Sequence, residues 1–164
     1  MIVDEDCSGL KELKEEYLKF KEKYKLPEFS ELNELFDIEE IDIDTEFLLR
    51  KVRRVISERI GGYLRFVEII LNPSNAPMFF FKLIKKLDEN DKQSLSDVYD
   101  ILGKFEVEIL ALDIDYSEEK EADFIKSVFI IFSGDIKKKL LEVIKKMGNG
   151  EGDVKRVSNG GYVG

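Results

Sequence analysis

Apolar residues recur at intervals of three and four along most of this chain, and that spacing places side chains on one face of an α-helix. The pattern stops before Pro27 and again before Pro73, because proline disfavours a helical conformation in the residue that precedes it. Short polar turns separate the remaining stretches. The sequence therefore predicts a series of amphipathic helices joined by short connections.

The helix boundaries follow from caps and breakers. Residues 27–36 repeat the helical spacing only briefly, and in residues 37–44 acids alternate with isoleucines. The stretch 27–44 is predicted to be a linker with extended character. Residues 105–116 have a partial period of two and allow a strand, but an isolated strand would have no secure partner, so we favour helix there. We predict helices over 8–25, from a cap at Asp44 or Thr45 to Leu71, over 76–87, from Asn90 or Asp91 onward, and from a cap at Ser117 to Met147.

These elements predict an all-α, single-domain bundle of five or six helices, mostly antiparallel. A chain of 164 residues is enough for one ordinary domain, which we place at 1–147. Residues 148–164 contain six glycines and only scattered apolar residues, so we predict a flexible tail. Whether that tail is native or an expression scar stays open at this point.

The composition of the chain excludes several common kinds of catalytic and metal site. It contains no His, which excludes His-based nucleophile triads and His-ligated zinc, and its one Cys, Cys7, excludes internal disulfides. No glycine loop for phosphate binding is found. We predict no catalytic residue, no metal site and no cofactor, and the sequence favours a role other than catalysis.

The acidic N-terminus lacks the positive charge of a secretory signal, and no apolar run reaches membrane-spanning length. The sequence therefore predicts a cytoplasmic protein without a membrane partner. Lys and Glu dominate its charge, while Gln93, Thr45 and Cys7 are each the only residue of their type. That bias is typical of proteins from hot environments, although an AT-rich genome also favours Lys.

Five of the six arginines lie within residues 50–65 of the long predicted helix. Arginine offers planar, multidentate contacts that lysine does not, so their clustering indicates a binding role. At about 100° per residue, four of them are predicted to share the face opposite the apolar stripe and to bind a partner: Arg50, Arg53, Arg54 and Arg65. Arg59 is instead predicted in the apolar arc, in a buried ion pair with a Glu such as Glu118 or Glu121, with a ligand anchor or partial exposure as the alternatives.

Met78, Phe79 and Phe80 follow a rigid polar turn and, with Phe81, cannot all face one stripe of a helix. One interpretation is a short helix buried in the centre of the bundle. The other leaves one or two of these side chains exposed as an anchor for a partner. Both remain open from the sequence alone.

Three functions remain open. The first is a protein-interaction module, an adaptor or an accessory subunit of a larger assembly that binds another protein. The second is a nucleic-acid-associated protein that uses the arginine face together with Lys137, Lys138 and Lys139, although the net charge of −9 disfavours simple wrapping of nucleic acid. The third is a Mg²⁺-dependent enzyme built on carboxylates, which are abundant enough to fall at helical spacing by chance. We favour the first.

Overall fold

The computed structural model describes residues 2–41 and 47–149, with side chains from residue 9 onward except that of Asn75. This part of the chain forms an all-α domain, as predicted, and contains no β-strand. Short 3₁₀ turns lie at Ile38–Glu40 and Pro73–Asn75. The α-helices are α1 (Ile2–Tyr24), α2 (Phe29–Phe36), α3 (Leu48–Leu71), α4 (Met78–Ile84), α5 (Glu89–Ile114), α6 (Glu118–Ile131) and α7 (Lys137–Gly148).

The pairing of α3 with α5 forms the largest helix contact of the domain. Near the start of α3, Arg53 contacts Asp113 at the end of α5. Further along α3, Gly61 lies beside Glu106, which is earlier in α5. The two helices therefore run antiparallel, as a bundle with short connections predicts.

The α6 helix runs parallel to α3 and completes the central layer. Its first turn contacts Arg53 through Glu121, and the ring of Phe132 after its last turn packs 5.2 Å from that of Tyr63. Because α5 is antiparallel to α3, it is also antiparallel to α6, and their rings at Phe105 and Phe124 meet edge to face. These three helices bury most of the apolar core between them.

The caps of α5 and α6 explain where each helix begins. The carboxylate of Asp88 accepts a hydrogen bond from the backbone N–H of Asp91, and the carboxylate of Asp91 accepts one from the backbone N–H of Asp88. This reciprocal pair starts α5 at Glu89, slightly earlier than predicted, and the helix continues to Ile114. The open question over residues 105–116 is thus settled in favour of helix, and Ser117 caps α6 as predicted.

The predicted helix from Ser117 to Met147 is helical throughout but is not uniform. A π-helical turn at Phe132–Ile136 joins α6 to α7 without a break. Within it, the hydroxyl of Ser133 donates to the backbone oxygen of Phe129 at 2.6 Å. The π turn adds one residue to the helical repeat, which keeps buried residues spaced four apart, from Val128 to Leu140, on the core side.

The prediction of an extended linker over residues 27–44 is wrong where the structure describes it. Residues Phe29–Phe36 form α2, and a 3₁₀ turn follows after Asp37, whose backbone has a positive φ of 58°. The physical reason is burial, because Leu32, Phe36 and Ile38 are completely enclosed. A short helix holds Leu32 and Phe36 about 6 Å apart along its axis, so that they reach one core, whereas an extended strand would spread them over about 13 Å.

The ends of α3 and the start of the predicted tail are the remaining boundaries that the sequence predicts. The end of α3 at Leu71, before Asn72 and Pro73, is confirmed, but the predicted caps Asp44 and Thr45 lie outside the described residues. Of the predicted tail, residues 150–164 also lie outside them. No helix in the described ranges is long and apolar enough to cross a membrane.

Candidate interaction surface

Arg53 is the residue for which sequence and structure differ most. It was predicted on the exposed face of α3, and the structure shows that its side chain is 1% exposed. The guanidinium binds Glu121 with two hydrogen bonds, from Nε at 2.8 Å and from Nη2 at 3.1 Å, and its Nη1 lies 2.7 Å from Asp113. The prediction that Arg53 binds a partner is wrong, because α5 and α6 both cover that side of α3.

At this junction of α3, α5 and α6, the carboxylates of Glu121 and Asp113 balance the positive charge of Arg53. Burial pulls the pKa of Arg53 downward, but its hydrogen bonds to Glu121 and Asp113 outweigh burial and raise the pKa above its usual value. The guanidinium is therefore always charged, and a planar fork facing a carboxylate is the strongest ion-pair geometry available. The junction holds three helices together, and each of the three guanidinium nitrogens has a carboxylate partner.

Arg59 shows the opposite error. It was predicted to lie in the apolar arc, yet 48% of its side chain is exposed, and its Nη2 lies 3.4 Å from Asp37. The prediction of burial is wrong because the covered arc of α3 centres on Ile56 and Ile60, and Arg59 lies at its rim. A buried Arg–Glu pair does exist, and it includes one of the predicted acids, Glu121, but its arginine is Arg53.

The other arginines do not assemble into one basic face. Arg50 is half-buried, with its guanidinium 5.6 Å from the ring centroid of Tyr116, an arrangement that favours a cation–π contact. Arg54 and Arg65 are exposed and form no ion pair with a described residue. Since eleven residues of helix separate those two, their Cα atoms are about 16 Å apart along the axis. The structure therefore does not bring the four predicted arginines together.

The lysine run on α7 is also divided. Lys139 lies 3.1 Å from Asp135 and 3.9 Å from Asp97, so it belongs to the internal charge pattern of the domain. Lys137 and Lys138 are exposed and have no ion-pair partner in the described part of the chain. Two neighbouring cations form a smaller basic surface than the one predicted from the run of three lysines.

Among the predicted site residues, those on the short helix α4 expose the largest amount of apolar surface. Met78 is 86% exposed and Phe79 is 61% exposed, and Phe81 is exposed to a smaller degree. Phe80 is half-buried against the core, and the ring of Phe79 stacks on it with centroids 4.4 Å apart. Of the two interpretations left open by the sequence, the structure excludes the helix buried in the centre of the bundle.

Lysines complete this surface. At 100° per residue, Lys82 and Lys85 follow Met78 along the outer line of α4, with Phe79 and Phe81 on either side of it. Neither lysine forms an ion pair or hydrogen bond with any residue that the structure describes. We call Met78, Phe79, Phe81, Lys82 and Lys85 the α4 patch.

Local sequence explains why α4 presents this surface. The 3₁₀ turn that starts at Pro73 and the extended residue Pro77 fix the direction in which the helix begins. Only one residue of α4, Ile84, is buried, and Lys86 beyond the helix donates to the backbone oxygen of Met147 in α7 at 3.4 Å. A helix anchored on one narrow side leaves its remaining apolar side chains in water.

An open groove of about 410 Å³ lies between α3 and α7, the helix against which α4 also packs. Its walls combine aromatic and charged groups, and Gly62 leaves part of its floor open, since a Cβ there would meet no atom within 4 Å. The groove is lined by Glu58, Arg59, Gly62, Tyr63, Phe66 and Ile144. No three acids or cysteines converge to hold a metal ion among the described side chains.

Comparison with known proteins gives no significant match to a family model, to a curated protein or to a solved structure.

Sequence reasoning missed two features of this surface, and the chain carries a signal for the first of them. Arg53 lies three residues before Ile56 and four after Leu49, and both of these are buried. That spacing places Arg53 on the same face as the core. Phe81 was recognised as bulky but was not assigned to the site, because which sides of α4 are covered depends on its docking against α7.

Proposed function

We propose that this chain is a protein-interaction module, an adaptor or an accessory subunit of a larger assembly, and that its partner binds the α4 patch. The exposure of Met78 and Phe79 is the observation that carries this proposal. A large apolar side chain that stays in water forgoes about 25 cal/mol of stabilisation for each Å² of apolar surface that it leaves exposed. Grouped on one helix, they form the kind of anchor that dominates protein interfaces.

The lysines of the patch favour an acidic partner segment. Lys82 and Lys85 have no acidic neighbour within the described residues, so a carboxylate from outside would meet an uncompensated cation. The net charge of −9 would repel such a partner at long range. At physiological ionic strength, however, screening acts over about 8 Å, and the nearest charges decide the contact. We expect an acidic segment that carries one or two aromatic or aliphatic side chains.

The alternative of nucleic-acid binding draws less support from the same surface. Affinity for a phosphate backbone grows with the number of cations that reach it, and the α4 patch offers two. The arginine face that motivated this alternative loses Arg53 to the core and Arg50 to Tyr116. A methionine at the most exposed position also has no aromatic face on which a base would stack.

A peptide-display selection against the intact chain tests the proposed function. We expect enriched peptides to contain Asp or Glu beside aromatic or aliphatic residues, and their affinity to fall about tenfold or more in Phe79→Ala. Leu18→Ala is the matched control, because Leu18 is also an exposed apolar residue but lies on α1. That variant should bind the selected peptides as the wild type does.

Two results would count against the proposed function. The first is a set of selected peptides without acidic bias, or peptides whose affinity is the same for Phe79→Ala and the wild type. The second is tighter binding of a labelled single-stranded oligonucleotide, with an affinity that falls steeply as salt rises. The second result would favour the nucleic-acid alternative.

A further inference from the structure

The groove between α3 and α7 is lined mainly by apolar side chains. Tyr63 and Phe66 contribute rings from α3, and Ile144 contributes an aliphatic side chain from α7. Both rings also pack against the core, which fixes their positions, whereas 46% of Ile144 is exposed. The volume of about 410 Å³ falls in the range of small-molecule sites. The groove therefore suits the ring or the branched aliphatic chain of a small ligand.

Gly62 leaves a gap in the surface of α3 at this groove. Residues three and four apart are neighbours on a helix, so Gly62 adjoins Glu58, Arg59 and Phe66. A glycine inside a helix lowers stability relative to alanine. Close packing does not require it here, because a Cβ at this position would meet no atom within 4 Å. The glycine instead provides an open space that two charged side chains and one ring border.

The two charged side chains at this gap have opposite signs. Glu58 is exposed and forms no ion pair or hydrogen bond with any residue that the structure describes. Arg59 is 48% exposed and donates one hydrogen bond, from Nη2 to Asp37 at 3.4 Å, which leaves its other N–H groups for a further acceptor. A ligand with only a negative charge would be repelled by Glu58, and one with only a positive charge by Arg59. A ligand that carries both charges can satisfy both side chains.

We propose that this groove binds a free α-amino acid with an apolar side chain. The carboxylate of the ligand accepts hydrogen bonds from the guanidinium of Arg59, and its ammonium donates to the carboxylate of Glu58. Its side chain packs against the rings of Tyr63 and Phe66. Because the groove is open to water, the dissociation constant is roughly millimolar for a ligand of this size. The site shares no residue with the α4 patch, so it does not depend on what that patch binds.

Three small molecules that share a phenyl ring test the charge requirement. Phenylalanine carries both charges, phenethylamine carries only the ammonium, and hydrocinnamate carries only the carboxylate. In a nuclear magnetic resonance titration of the isotope-labelled chain, we expect phenylalanine to shift the amide signals of Gly62 and Tyr63 saturably. The other two should bind about tenfold or more weakly, because each leaves one charged side chain without its partner. Equal affinity for either of them would overturn the proposal.

Substitution of the two charged residues assigns each charge of the ligand. In Glu58→Gln, the affinity for phenylalanine should fall to that for hydrocinnamate, because the ammonium no longer contributes. In Arg59→Gln, it should fall to that for phenethylamine. Glu68→Gln and Arg65→Gln are matched controls, since both residues are exposed on α3 and neither lines the groove. A folding defect would weaken all three molecules alike and would not abolish one difference alone.

Filling the gap at Gly62 tests the location of the site. Gly62→Leu should abolish saturable binding of phenylalanine and keep the helical circular dichroism signal, since a Cβ there meets no atom and leucine favours a helix. Gly103→Leu on α5 is the matched control, because a Cβ at Gly103 also meets no atom within 4 Å. That variant should bind phenylalanine as the wild type does. Unchanged binding by Gly62→Leu, or no saturable shift in the wild type, would overturn the amino-acid site.

Discussion

The junction of α3, α5 and α6 places a charge inside the protein, whereas α4 places apolar side chains outside it. Arg53 at the junction satisfies its donors with Glu121 and Asp113. Met78 and Phe79 on α4 leave their outer surfaces uncovered by the described residues. Both regions depart from the usual distribution of polar and apolar groups, but only the departure at the junction is compensated within the chain. A buried charge that is paired within the chain indicates a structural role, whereas apolar side chains that stay uncovered on α4 indicate a surface for a partner.

Removing Glu121 should have the largest effect on stability. Glu121→Ala leaves the guanidinium of Arg53 buried beside only the partly exposed Asp113, and breaking a buried pair in this way costs about 3–5 kcal/mol. Urea unfolding followed by circular dichroism measures the loss. Replacing both partners with apolar residues, in Arg53→Met with Glu121→Leu, should recover much of it. A loss below about 1 kcal/mol for Glu121→Ala would show that the junction is not a structural centre.

Acid should weaken the charged contacts between helices and leave α4 unaffected. Hydrogen bonds from the hydroxyl of Tyr24 and from Lys23 lower the pKa of Glu118 below its usual 4.5. The backbone N–H of Asp91 and the ammonium of Lys146 lower the pKa of Asp88 below 3.8. A lowered pKa in the folded state adds stability above the usual pKa, and this stability is lost as the pH falls through the folded value.

The melting temperature should therefore fall as the pH drops below about 4.5. In a Glu118→Gln, Asp88→Asn double variant this fall should be shallower, because two of the titrating groups are gone. A profile identical to that of the wild type would show that these two carboxylates do not contribute to acid sensitivity.

Arg59 provides the contrast to Arg53 within one helix. Its pair with Asp37 is exposed, so Arg59→Ala should change the free energy of unfolding by at most about 1 kcal/mol. The same urea measurement applies. A loss as large as that for Glu121→Ala would contradict the distinction between a buried and a rim arginine.

Met78→Ser should have the smallest effect on stability, within about 0.5 kcal/mol, because the side chain is almost fully exposed in the folded chain. Thermal or urea unfolding checks this. A clear destabilisation would show that Met78 packs against the rest of the chain, and the α4 patch would then be smaller than proposed.

The spacing of apolar residues, together with capping and helix-breaking residues, predicts the helices whose ends are set by neighbouring residues in the sequence. The apolar spacing and the caps of α5 and α6 identify both helices, and Asn72 with Pro73 gives the end of α3. The apolar residues of α2 have helical spacing, but the stretch was interpreted as a linker because eight residues are too few for the spacing alone to predict a stable helix. Its burial depends on contacts far along the chain, such as that of Phe36 with Phe132.

The site residues depend even more on tertiary packing. The apolar stripe of α3 is broad, so the sequence defines its centre poorly. Arg53 and Arg59 lie at the two edges of the stripe. A rotation of the helix about its own axis by less than one residue, about 100°, therefore exchanges the environments predicted for them. Which edge is covered depends on α5 and α6. On α4, four bulky residues in a row require that some be exposed, but docking against α7 decides which ones.

The affinity of Phe79→Ala for a selected acidic peptide, measured by titration calorimetry beside the wild type and Leu18→Ala, tests most directly whether exposed apolar groups on α4 form a binding surface. We predict binding that is about tenfold or more weaker for Phe79→Ala and unchanged for Leu18→Ala, with all three chains folded. Equal affinity in all three chains would contradict the assignment of the α4 patch as the partner site.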